Sequence, residues 1–317
     1  MGVKSTAVKQ HLPLAPAITW VDYLPSSIRP FCLLARFHRP GGPLIAFYPH
    51  AWSVTMACYA HSEPIKTVWT YIGLLFAVSE MFRAAGCVIN DMLDKDLDAL
   101  VPRTRGRPLP AGQVSMFQAF VFAVLLLALC AWPLMQLNEY SFRLGIACLG
   151  LVALYPFMKR VTNWPQVALG ICINWGVLGG AASVVGAVDW HVYMPLYLGA
   201  ICWTIVYETS YARQDINEDI KYGMHSATII FGEKIRPILA MFSIVSCSLV
   251  AYAGICNGHG YPFFIGVILG AAQLARHLAT IDFENGESCD ASLFTCSWFG
   301  FWIWVGATAD YAMKTQF

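Results

Sequence analysis

Apolar and polar positions along this chain fall into long blocks, not the two-residue alternation of strands or the narrow stripes of soluble helices. Windows of about 20 mostly apolar residues, the length that crosses a hydrocarbon core of roughly 30 Å, run near 42–60, 68–90, 114–135, 141–157, 165–186, 192–212, 236–256, 261–281 and 291–312. Ala119 to Ala131 and Val167 to Val188 carry no charged residue. The pattern predicts an all-α membrane protein of about nine transmembrane helices in one bundle. A cytosolic N-terminal segment at 1–40 precedes a single transmembrane domain at 41–317, and no linker or low-complexity tract divides it.

Charge between the windows orients the bundle. With a cytosolic N-terminus, the cytosolic segments hold Arg29, Arg36 and Arg39, then Arg103, Arg105 and Arg107, then Lys159 and Arg160, then Lys221, Lys234 and Arg236. The opposite loops offer little beyond Lys66 and Arg143, as the positive-inside rule expects. One cytosolic connector is acidic, with Asp282, Glu284, Glu287 and Asp290, but acidic residues weigh little in that rule.

Composition agrees with this reading. Hydrophobic residues make up 57% of the chain and charged residues 12%, about half the charged share of a soluble domain. A net charge of +1 excludes a globally basic nucleic-acid binder and gives no reason to expect an acidic or obligate protein partner; the lipid bilayer is the main surrounding. The eleven cysteines lie scattered in apolar segments without a CxxC pair, which reads as small buried hydrophobes in a reducing setting. Met1 to Pro30 is poor in Arg and holds Pro13, Pro16, Pro25 and Pro30. That argues against a mitochondrial transit helix and predicts the endoplasmic reticulum or another endomembrane, with the active side cytosolic. Met1-Gly2-Val3-Lys4-Ser5-Thr6 matches a myristoylation pattern, which adds little to a chain with many spans.

Two acidic clusters carry the chemistry. The first runs from Asn90 to Asp98; at about 100° per residue, Asn90, Asp91, Asp94 and Asp98 share one helix face while Asp96 points away. In the second, Glu208, Tyr211, Asp215, Glu218 and Asp219 share a face, with Arg213 and Asn217 turned off it. Carboxylates at i, i+4 spacing repel unless a cation lies between them, and Mg²⁺ prefers such hard oxygen donors. A charge run is usually a solvated helix end. Two runs at matching positions, closing the second and sixth windows beside basic loops, point instead to a divalent-cation and phosphate site.

Glu80, Arg83 and Glu208 fall inside or near apolar windows, where each charge costs on the order of 3 kcal/mol, so each pairs or lines a cavity. Intramembrane charge also marks cation or organic-anion transporters, but those place acids near the mid-membrane in broken helices, whereas these acids sit at window ends. The CDP-alcohol phosphotransferases, another class with metal-binding helical aspartates, require an Asp-Gly and Ala-Arg signature that is absent before Asn90.

Taken together, these segments resemble the UbiA superfamily of intramembrane aromatic prenyltransferases. The signature is Arg83-Ala84-Ala85-Gly86-Cys87-Val88-Ile89-Asn90-Asp91 through Asp98, followed by Arg103-Thr104-Arg105-Gly106-Arg107-Pro108-Leu109-Pro110-Ala111-Gly112. Arg36-Phe37-His38-Arg39-Pro40-Gly41 and Tyr155-Pro156-Phe157-Met158-Lys159-Arg160-Val161-Thr162 extend it. The resemblance implies nine helices around a cavity with a cytosolic-side cap. It implies that Asn90, Asp94, Asp98, Asp215 and Asp219, assisted by Asp91, hold Mg²⁺. Tyr155, Lys159, Arg160 and Arg103 would bind the diphosphate of a prenyl donor. Asp94, Asp98, Asp215, Asp219 and Lys159 are the expected catalytic residues, and Arg36 or Arg83 would hold the carboxylate of an aromatic acceptor.

Ubiquinone-type members carry an Asp-Lys pair where this chain has His38-Arg39, and an Asp at the position of Glu208. These departures make the chain similar to the fungal meroterpenoid-pathway enzymes, which implies farnesyl transfer to a ring carbon of an orsellinic-acid-type polyketide. The alternative is 4-hydroxybenzoate polyprenyl transfer.

Overall fold

A computed structural model describes residues 19–39, 41–155 and 158–316, except the side chains of Ala153, Lys159, Arg160 and Gln316. The Met1 to Thr6 pattern, Pro13 and Pro16, and the diphosphate roles expected of the Lys159 and Arg160 side chains lie outside that description. Among the described residues there is no strand. A short helix α1 (Arg29–Leu34) leads into α2 (Gly41–His61) and α3 (Ile65–Leu93). Next come α4 (Lys95–Leu100), α5 (Met116–Leu134), α6 (Glu139–Leu154), α7 (Met158–Val161), α8 (Pro165–Ile173) and α9 (Gly176–Val185). The remainder is α10 (Trp190–Ala212), α11 (Ile216–Lys221), α12 (Ala227–Phe231), α13 (Ile235–Cys256), α14 (Tyr261–Thr280), α15 (Gly286–Asp290) and α16 (Ser292–Gln316).

Helices occupy every apolar window, with two qualifications. Among the described residues, five segments are long and apolar enough to cross a membrane: Ile65–Leu93, Met116–Leu134, Pro165–Val185, Ala227–Cys256 and Tyr261–Thr280. The chain is a multi-pass membrane protein on that evidence. The helices α2 and α10, rich in Trp, Tyr and Pro, and α16, rich in Trp, are as long, and each carries many buried side chains. The 165–186 window, expected as one helix, is broken at Asn174, whose side-chain amide donates to the Gly170 carbonyl (2.8 Å) and to Thr204 Oγ1 (2.7 Å). A broken backbone inside an apolar bundle needs such partners, because no water is there to supply them.

Local signals explain the helix ends on both sides. Ser115 and Gln118 form a reciprocal capping box at the start of α5, Asn138 caps α6 through Ser141 N (2.9 Å), and Asp189 caps α10 through His191 N (3.0 Å). Gly186 ends α9 at φ +74°, a left-handed turn that costs glycine nothing.

The core lies between α2, α10 and α16. Trp52, Trp203 and Phe299 are buried there with ring centroids 5.5 to 6.1 Å apart. Each indole finds a carbonyl: Trp52 Nε1 donates to Gly300 O (2.8 Å) and Trp203 Nε1 to Cys296 O (3.1 Å). Small residues bring other helices close, and a Cβ on Gly266 of α14 would sit 2.5 Å from the Trp302 carbonyl and 2.9 Å from Gly306 Cα on α16. Next to this packed core a cavity opens among α2, α3, α6, α8, α9 and α10.

Candidate active site

The cavity has a volume of about 740 Å³. Its inner wall is apolar, with Leu75, Val78, Leu134, Cys148, Val152 and Ile173. Its other end is charged: Asn90, Asp91, Asp94 and Asp98 line it from one side, and Glu208, Tyr211, Asp215, Glu218 and Asp219 from the other. The two acidic stretches, more than a hundred positions apart, thus face one space. Asp96 is exposed and outside the lining, and Asn217 and Arg213 are also outside it.

Neither stretch is a continuous helix, although the rotation argument assumed one. The backbone turns at Asp94 (φ −96°, ψ 6°), which closes α3 and opens α4. A 3-10 turn at Arg213–Asp215 separates α10 from α11 in the same way. Each break lasts a residue or a turn, so side chains three and four apart still point the same way. Asp91, Asp94 and Asp98 are all buried, at 1%, 9% and 7% exposure.

Arginines from the basic loops reach these acids. Arg36 Nη2 donates to Asp91 Oδ1 at 2.6 Å. Arg107 Nη1 bridges Asp91 Oδ1 (3.3 Å) and Asp98 Oδ2 (2.7 Å). Arg103 grips Asp215 with Nε to Oδ1 at 2.7 Å and Nη2 to Oδ2 at 2.6 Å. Asn90 Nδ2 donates to Asp94 Oδ2 (3.1 Å). Burial works against the Arg36 and Arg103 charges, but the carboxylates beside them, Asp91 and Asp215, raise both pKa values above the ordinary arginine value.

The acidic connector after α14 has partners of the same kind. Asp290 takes Arg39 Nη1 (2.7 Å), and Glu284 takes Arg213 Nη2 (3.0 Å). Arg83 pairs with Glu80 three residues away (3.0 Å), as intramembrane charges must, and lines the cavity. Its Nε is buried without a partner. Tyr155 and Arg36 also line the cavity. Sequence reasoning left Arg107 and His38 without roles; both line the cavity, and Arg107 stood inside a motif whose three arginines were a usable signal.

Among the described residues, no three His, Cys, Asp or Glu side chains converge closely enough to hold a metal ion by themselves. What the arrangement offers chemically is a set of hard oxygen donors and guanidinium forks at the rim of an apolar chamber. That suits a ligand with an anionic head and a hydrocarbon tail.

Comparison with known proteins gives a consistent picture. The model described as "UbiA prenyltransferase family" matches residues 46–309. The mitochondrial 4-hydroxybenzoate polyprenyltransferase of Arabidopsis thaliana is 38% identical over 289 residues, 91% of this chain and 70% of that protein. Its namesake in Drosophila melanogaster is 37% identical over 309 residues (98% and 76%), and that of Homo sapiens 36% over 296 (93% and 79%). Among solved structures, the apo UbiA homologue of Aeropyrum pernix K1 superposes with a TM-score of 0.71 at 24% identity, covering 84% of this chain and 97% of that one. A UbiA homologue of Archaeoglobus fulgidus bound to GPP and Mg²⁺ gives 0.58 at 16% identity, covering 88% and 99%.

Proposed function

Because the chain belongs to the UbiA prenyltransferase family and is an aromatic prenyltransferase, we propose that it moves a polyprenyl group from its diphosphate to a ring carbon of a phenolic acid, with 4-hydroxybenzoate as the acceptor. The observation that carries this reading is one cavity of about 740 Å³ that has both acidic helix ends at its rim and an apolar inner wall. Relatives named for 4-hydroxybenzoate, at 36 to 38% identity, support that acceptor over the orsellinic type expected from His38-Arg39 and Glu208. Their names support a mitochondrial membrane over the endoplasmic reticulum by the same reasoning.

The donor set suits Mg²⁺. An ion that keeps several waters and takes phosphate oxygens from the substrate needs only one or two carboxylates from the protein, so the absence of a three-residue cluster among the described residues is no misfit. Asn90, Asp94, Asp98, Asp215 and Asp219 would hold it, and when bound it supplies positive charge against the diphosphate.

The chain's own residues do the rest. Arg103 and Tyr155, and in this reading Lys159 and Arg160, would bind the diphosphate, where guanidinium and ammonium donors stabilise charge that grows as the allylic C–O bond breaks and its electron pair leaves with diphosphate. The apolar wall around Leu75, Val152 and Ile173 keeps water from the allylic cation. A ring carbon of the acceptor then forms the new C–C bond, and loss of the proton from that carbon restores aromaticity. Arg83, with its unpartnered Nε, would take the acceptor carboxylate. Arg36 has less to offer, since its Nη1 is held by the Leu33 and Leu34 carbonyls (3.1 and 3.3 Å) and its Nη2 by Asp91. In this reading 41–317 is one prenyltransferase domain with about nine spans and a cap on the side that holds the basic loops, and 1–40 is a segment before it on that same side.

The test incubates membranes with Mg²⁺, prenyl diphosphates of several lengths, and either 4-hydroxybenzoate or orsellinic acid, with products read by mass spectrometry. Prenylated 4-hydroxybenzoate from wild type, and none from Asp94→Ala or Asp215→Ala, is the expected result. Equal product from all three proteins would remove the proposed roles of these acids.

A further inference from the structure

Asp91 stands apart from the other acids on its face. Its carboxylate is 1% exposed, and one oxygen, Oδ1, receives both Arg36 Nη2 (2.6 Å) and Arg107 Nη1 (3.3 Å). Those arginines come from two different segments, the turn before α2 and the loop between α4 and α5. Within the proposed prenyl-transfer reading, on which this inference rests, we infer that Asp91 is a positioning residue that ties three segments together at the cavity wall, and not a ligand of the divalent cation.

Three observations carry it. Two guanidiniums from two segments meet the one Asp91 oxygen, whereas Asp98 and Asp215 each take a single arginine, so a divalent ion brought to Asp91 would meet two like charges at close range. Arg36 adopts φ +60°, a left-handed conformation uncommon for a side-chain-bearing residue, and its guanidinium folds back onto the Leu33 and Leu34 carbonyls. The turn is therefore closed on itself, with Asp91 as its anchor to α3. Finally, the same Arg107 nitrogen that touches Asp91 also holds Asp98 Oδ2 at 2.7 Å. Asp91 thus acts on the cation face through a relay: it fixes Arg107, and Arg107 fixes the orientation of Asp98. The second oxygen, Oδ2, is buried without a partner, so an Asn at this position fits the space while removing the charge that holds both arginines.

The experiment compares Asp91→Asn, Arg107→Gln, the double variant and Asp94→Asn in two readouts. One is the initial rate against Mg²⁺ and against prenyl diphosphate; the other is thermal unfolding of the detergent-solubilised protein without Mg²⁺ or substrate. We expect Asp91→Asn to lower kcat/KM for the donor by roughly ten- to a hundredfold with half-saturating Mg²⁺ within about twofold of wild type. Arg107→Gln should do the same, and the double variant should be no worse than either, in rate and in unfolding midpoint, because both remove one relay. Asp94→Asn should raise half-saturating Mg²⁺ about tenfold or more. A tenfold rise in Asp91→Asn, or additive losses in the double variant, would overturn the proposal. If Asp91→Asn does not fold, Arg107→Lys, which keeps charge but loses the fork, replaces it under the same criteria. Should wild type form no prenylated product, the enzyme reading fails, while the unfolding comparison still decides whether the three segments depend on Asp91.

Discussion

Arg103 and Asp215, 112 positions apart, meet through two hydrogen bonds of 2.7 and 2.6 Å, so the loop that follows the first acidic helix end is clipped to the second. Only a planar guanidinium can present two parallel donors to one carboxylate; an ammonium offers a point charge. Arg103→Lys should therefore keep the charge yet lower kcat/KM for the prenyl donor by about tenfold, as measured by steady-state kinetics in membranes. A lysine variant at the wild-type rate would show that the fork does nothing for turnover.

On the far side of the bundle from these acids, His259 lies between the rings of Tyr59 and Phe263, at centroid distances of 4.1 and 4.5 Å, with Nδ1 2.7 Å from Asp310 Oδ2. The same oxygen accepts from Gly260 N (2.8 Å). Asp310→Ala strips a buried histidine and a backbone amide of their partner and should destabilise the protein by about 3 kcal/mol. Thermal unfolding reads the loss directly. Product formed per folded molecule should stay within about twofold, since the cavity residues are untouched.

His38, in the turn before α2, gives a pH dependence with a definite sign. Burial, then the charges of Arg39 and Arg36, lower its pKa from 6.5 to about 4. Between those values the unfolded chain binds a proton that the folded chain refuses, so this stability is complete above pH 6.5 and is lost as pH falls towards 4. His38→Gln should flatten that part of the stability profile, measured by unfolding midpoint against pH. A profile unchanged by the substitution would mean that folding does not lower the His38 pKa.

Where α14 crosses α16, Gly266 and Gly306 leave no room for a methyl group: a Cβ at 306 would lie 3.0 Å from each of Gly266 Cα, the Phe263 carbonyl and the Pro262 carbonyl. Gly266→Ala should cost about 1–3 kcal/mol by forcing the helices apart. Gly73, with open space around its Cβ position, is the control and should tolerate Ala. Equal unfolding midpoints for the two variants would contradict the close crossing.

Much of this was legible in the sequence because it rests on local periodicity. Blocks of apolar residues placed the helices, and rotation about a helix axis separated Asp96 from Asp91, Asp94 and Asp98. The break at Asn174 was not legible, because Gly170, Asn174 and Thr204 form its hydrogen bonds only after α8 and α10 pack. The arginine partners were hidden for the same reason: Arg36, Arg103 and Arg107 looked like orienting charges, and nothing local reveals which distant carboxylate each meets. The acidic connector at 282–290 looked like an exception to a charge rule. Two of its acids, Asp290 and Glu284, are the partners of Arg39 and Arg213.

Those long-range pairs also set an order for biogenesis. Arg39 emerges from the ribosome early and Asp290 251 residues later, with Arg213 and Glu284 also separated, by 71. A nascent chain halted at the end of α14 would already hold most of its apolar segments in the bilayer, yet the rim around the acids would lack two of its ties. Insertion can therefore run ahead of assembly, and the chamber closes only when almost the whole polypeptide has been made.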